Sequence, residues 1–134
     1  RCAFNSQNTY WLDRSAFLQL YLPATATFRV CDILRGYVAQ EGLWRRGQRL
    51  AFYRPTTRQE RNPHNRVHDL ESEFPLYTKL DAVLAVVAAA AAKGLTATYT
   101  ALAPTGIVTA AEAGIADAWL LAARTALQQR PSSS

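Results

Sequence analysis

A chain of 134 residues holds one domain or part of one. Apolar residues make up 49% and charged residues 19%, which excludes a disordered or collagen-like chain. Fifteen Lys and Arg face ten Asp and Glu, a formal charge of +5. The excess is concentrated: residues 42–66 carry Arg45, Arg46, Arg49, Arg54, Arg58, Arg61 and Arg66 against one acid, Glu60. All seven are Arg, the residue suited to bidentate capture of phosphate or carboxylate. A solvated basic face reads equally well. A nucleic-acid surface is the weaker alternative, because the arginines are scattered singly.

In chain order, residues 1–9 are polar and Asn-rich, with loop chemistry. Opening at Arg1 rather than Met reads as a processed or excised chain. Asp13-Arg14-Ser15 opens a short helix or turn that Pro23 stops. Residues 24–30 alternate small, Thr and aromatic side chains, which predicts a strand. From Asp32 the period turns helical through Ile33, Leu34, Tyr37, Val38 and Trp44, and Gly47 stops it. A helix over 32–46 follows, with Asp32 favoured in its first turn. Residues 49–54 read as a second strand ended by Pro55. A polar loop over 56–66 follows, of the length that is often functional. Weak helical pattern resumes over 67–76, with Pro75 as an interruption.

The second half is apolar. Residues 79–93 predict an Ala-rich helix ended by Gly94. The apolar run from Leu80 to Ala92 falls short of the roughly 20 residues of a membrane span. Residues 95–102 fit a helix or a strand. Thr109 and Glu112 form a capping box, with Thr109 as N-cap of a helix reaching about Gln129 and burying Ile115, Trp119, Leu120 and Leu127.

No nucleophile, phosphate-loop or metal-protease motif occurs. Cys2 and Cys31 make neither a disulfide framework nor a metal site. His64 and His68 would share a helical face and hold a metal, but Pro63 and Asn65 argue against a helix there. Asp32 is the carboxylate of most interest, flanked by Arg29 and Arg35 at spacings of three. It reads either as a helix cap or as an ionised base or acceptor for sugar hydroxyls.

Several runs carry a family likeness. They are Phe4-Asn5-Ser6-Gln7-Asn8-Thr9, then Leu22-Pro23 through Thr27-Phe28-Arg29-Val30-Cys31-Asp32-Ile33-Leu34-Arg35-Gly36-Tyr37, then Ala39-Gln40 and Leu43-Trp44. Glu60-Arg61-Asn62-Pro63-His64-Asn65 and Asp69-Leu70-Glu71-Ser72-Glu73 add to it. Together they resemble the STELLO-like family of Golgi glycosyltransferases, over about residues 4–78.

The resemblance implies an α/β fold, the C-terminal portion of a GT-A-like glycosyltransferase domain. Residues 1–78 would be its acceptor side and residues 79–134 a C-terminal helical layer. It implies transfer of a sugar from a nucleotide-sugar donor to a hydroxyl acceptor, with Asp32 as the catalytic carboxylate. Asn5, Asn8, Arg29, Arg35, Arg58, Arg61 and His64 would bind substrate, the last three reaching a diphosphate from the same cleft. A divalent metal, Mn or Mg, is expected, with ligands mainly N-terminal to this chain. The localisation implied is the Golgi lumen, through a membrane anchor also outside the chain, and a glycan synthase is an implied partner. Cys31 stands where other members have Thr. The alternative is a non-catalytic scaffold that binds a partner enzyme or a glycan.

Overall fold

The structure, a computed structural model, describes residues 2, 4, 8–58, 60, 63 and 65–129. Five α-helices form among them: α1 Cys31–Arg45, α2 Arg66–Tyr77, α3 Leu80–Ala90, α4 Leu95–Leu102 and α5 Glu112–Gln128. Short 3-10 helices cover Arg14–Leu20, Ala91–Lys93 and Ala103–Thr105. No strand occurs among the described residues, so the expected α/β fold is replaced by an all-helical one.

Both predicted strands fail for an identifiable reason. A strand is stable only in a ladder with partners. Residues 24–30 instead spend their polar groups on tertiary bonds and on the turn that launches α1. In that turn the N–H groups of Val30 and Cys31 donate to Thr27 O, at 2.9 and 3.0 Å. Residues 49–54 run irregular and largely exposed, with Phe52 and Tyr53 in solvent.

The helix expected over 32–46 forms over Cys31–Arg45. Its apolar spacing seats Leu34 and Val38 in a core shared with Leu76, Val83, Val87, Tyr99, Leu102 and Ala116. Both halves of the chain therefore contribute to a single core. Residues 79–93 form α3 and the 3-10 turn after it, and residues 95–102, which fitted either class, form α4. Asp13 caps the first 3-10 helix, its carboxylate accepting from Ser15 N at 2.8 Å.

α2 begins at Asn65, whose side chain accepts from the N–H groups of Val67 and His68. It runs through Pro75 rather than stopping there. Its orientation inverts the usual pattern, in which the apolar face of a helix turns inward. Leu76 is buried and Asp69, Ser72 and Glu73 are half-buried, while Val67, Leu70, Phe74 and Tyr77 face solvent.

The start of α5 departs from the capping box. The helix begins at Glu112, and its N-cap position is Ala111, without a side-chain bond. Thr109 contributes its backbone instead, accepting from Glu112 N at 3.1 Å and donating its own N–H to Thr25 Oγ1 at 2.9 Å. The Glu112 carboxylate turns away from Thr109 into the interior, with none of its surface exposed. It accepts from the Tyr21 hydroxyl, from Ala24 N at 2.9 Å, and from both the N–H and the hydroxyl of Thr25, at 2.7 and 2.5 Å. Further along α5, Leu120 is buried and Trp119 packs on Tyr21, with ring centroids 5.7 Å apart, but Ile115 is 40% exposed rather than buried.

Candidate functional site at the opening of α1

Two backbone facts position the site. The Thr27 turn delivers the chain into α1, and α1 opens at Val30 with no side-chain cap. Asp32 lies in the first turn, where helix N–H groups favour a negative charge. It is half-buried, so solvent reaches it.

The two flanking arginines do different work. Arg29 pairs with Asp69 of α2 at 2.6 Å, so its charge is committed across the seam rather than to Asp32. Arg35 is 2% exposed. Its guanidinium stacks 5.2 Å from the Phe4 ring centroid and 5.9 Å from that of Trp11. Burial pulls its pKa below the ordinary arginine value, and the charge of Asp32 opposes that pull. An arginine enclosed this way anchors the amino-terminal segment and has little surface to offer a substrate.

Gly36 is explained by the same segment. A Cβ at position 36 would sit 2.7 Å from Phe4 O and 3.0 Å from Phe4 N, closer than packed atoms come. One turn on, the buried amide of Gln40 accepts from Cys2 N and donates to Cys2 O, each at 3.2 Å. Arg35, Gly36 and Gln40 thus build a seat for residues 2 and 4.

Across the seam, α2 presents Asp69 and Glu73. Glu73 accepts from the Tyr77 hydroxyl at 2.7 Å. That bond and then burial push the Tyr77 phenol up to about 12, with smaller contributions from Tyr37 and Asp32. Asp32 and Tyr37 therefore each lie within electrostatic reach of Tyr77. The seam offers carboxylate acceptors beside the Tyr77 phenol, which stays protonated at neutral pH.

The remaining expected site residues are placed as follows. Asn8 is exposed and donates to Thr56 Oγ1 at 3.1 Å, tying the amino-terminal segment to the loop after residue 50. Arg58 sits in the exposed run 51–58, and no hydrogen bond or ion pair joins it to Asp32. Asn5, Arg61 and His64 lie outside the described residues. His68, expected as the second half of a His pair, faces Glu71 at 3.9 Å. Among the described residues no group of three His, Cys, Asp or Glu is placed to hold a metal ion.

Sequence reasoning missed two features. Glu112 looked like the acid of a capping box, and its role as a buried acceptor depends on the distant Tyr21 and Thr25. Arg45, Arg46 and Arg124 border a groove at the far end of α1; the first two belong to the Arg-rich stretch, but Arg124 carried no signal. Comparison with protein-family models, curated proteins and solved structures finds no match for this chain.

Proposed function

We propose that this chain is the acceptor-side helical part of a protein that transfers a sugar from a nucleotide-sugar donor to a hydroxyl in the Golgi lumen. Asp32 is its acceptor-side carboxylate. The observation that carries the reading is the placement of Asp32: half-open, in an uncapped first helical turn, with the Tyr77 phenol and the buried Arg35 within electrostatic range. The likeness of residues 4–78 to STELLO-like proteins supplies the reaction class. In an inverting transfer Asp32 takes the proton of the attacking hydroxyl as the new glycosidic bond forms and the bond from the sugar to the nucleoside diphosphate breaks, the diphosphate leaving with the electron pair. Arg35 and Gly36 hold the amino-terminal segment against α1. The divalent metal and the nucleotide would be held mainly by residues outside this chain.

Asp32→Asn in the full-length protein tests the assignment. Transfer should fall on the order of 10²–10⁴-fold, the contribution of a positioned base, with nucleotide binding and melting temperature nearly unchanged. Full activity in the variant would remove Asp32 from the chemistry.

The outward apolar stripe of α2 favours a second reading, a scaffold that binds a partner enzyme. On that reading Leu70→Ser with Phe74→Ser abolishes capture of the partner while Asp32→Asn does not.

A further inference from the structure

α1 ends far from Asp32. Thirteen residues of helix at 1.5 Å each put Arg45 about 20 Å along the axis from it. There the first 3-10 helix, α1, the Ala91–Lys93 turn, α4 and α5 surround a groove of about 440 Å³. That volume lies in the range of small-molecule sites.

Leu18, Leu95 and Leu120 give the groove an apolar lining, and Arg45, Arg46 and Arg124 also border it. No acid lines it. Arg45 is held by Ala88 O at 2.6 Å and by Glu41 at 3.4 Å. Arg46 is held by Ser15 O. Each guanidinium carries five N–H donors in a planar fork, so these bonds orient Arg45 and Arg46 and leave further donors for a ligand. Against these three cations stand the carboxylates of Glu41, paired with Arg45, and of Asp13, within electrostatic reach of Arg46, so one positive charge remains in excess to attract a phosphomonoester of about −1.5 to −2. The apolar lining suits a compact hydrophobic body on that phosphate. Leu95, at the opening of α4, brings a backbone N–H that also favours an anion.

We infer that this groove is a binding site for a soluble phosphomonoester with a compact apolar body, separate from the Asp32 seam. Arginine forks take the phosphate oxygens, and the leucines cover the body.

The test is a titration of the ¹⁵N-labelled chain with phenyl phosphate and with inorganic phosphate, read at the arginine side-chain and Leu95 amide signals. Saturable shifts should appear at Arg45, Arg46, Arg124 and Leu95, with phenyl phosphate the tighter. Arg46→Gln with Arg124→Gln should weaken binding by about tenfold or more, the scale of one lost charge-assisted hydrogen bond. Arg49→Gln with Arg54→Gln, an equal charge change outside the groove, should leave binding intact. Ala92→Trp, which fills the groove with charge unchanged, should erase the preference for phenyl phosphate even if the arginine variant fails to fold. Shifts spread evenly over all arginines, equal losses in both double variants, or capture by phosphatidic-acid vesicles without any response to phenyl phosphate would overturn the inference.

Discussion

Two of the acids that sit in first helical turns, Glu112 and Asp32, have opposite fates. Glu112 at the start of α5 is sealed from solvent and surrounded by four donors. Asp32 at the start of α1 is half-open, and its neighbours are a committed ion pair, phenols and a stacked arginine. A carboxylate whose acceptor sites are filled by its own fold is a fastener. One left partly unfilled at the surface is available to a ligand. Helix position alone does not separate the two, since both satisfy the same dipole.

The contrast is sharpest in stability. Glu112→Ala strands the Tyr21 hydroxyl and the donors of Ala24 and Thr25 in the interior, and should cost about 3–5 kcal/mol in urea unfolding. A loss below 1 kcal/mol would show that water fills the gap and that Glu112 is no fastener.

Acid should expose the same difference. Burial alone would push the Glu112 carboxyl up, but the bonds from Thr25, Tyr21 and Ala24 outweigh it and hold the pKa below the ordinary value of 4.5. Its stabilisation is complete above about pH 4.5 and is lost as pH falls through the folded pKa. Unfolding free energy measured from pH 6 to pH 2 should therefore drop more steeply in the native chain than in Glu112→Gln. Parallel curves would contradict the assignment.

Thr25→Val keeps the shape but removes one donor to Glu112 and the acceptor for Thr109 N, and should cost about 1–2 kcal/mol. Asp32→Asn should cost only about 0.5 kcal/mol in the same assay, the scale of one charge at a helix terminus. Thr109→Ala should change stability least, within about 0.5 kcal/mol. The sequence reading assigns it an N-cap loss of about 1 kcal/mol, so this variant tells the two accounts of the α5 start apart.

The helices were legible because their apolar spacing is local. Ile33, Leu34, Tyr37 and Val38 announce α1 to within a residue at each end, and α3 follows from Val83 and Val87. The strands were misread because β-branched and aromatic content is only half of a strand. Thr25 and Thr27 look like strand residues in isolation, yet Thr25 is claimed by Glu112 and Thr27 Oγ1 donates to Ser72 O. Proline at 75 was read as an interruption, and α2 tolerates it near its end. At the candidate site, Asp32 and its helix turn could be read directly. The partition of its arginines could not, because Asp69 and the Phe4 and Trp11 rings reach them from distant parts of the chain.

The seat that α1 makes for the amino-terminal segment carries a practical consequence for the two thiols. Cys2 is exposed, with its backbone clamped by Gln40. Cys31 is half-buried beside Asp32, and its thiol is held protonated first by burial and then by that neighbouring charge. The molecule thus carries two chemical clocks with different settings. A maleimide should modify Cys2 quickly and Cys31 slowly. A sugar bound at Asp32 should slow the second clock and leave the first untouched, so labelling kinetics report occupancy of the seam without any assay of transfer.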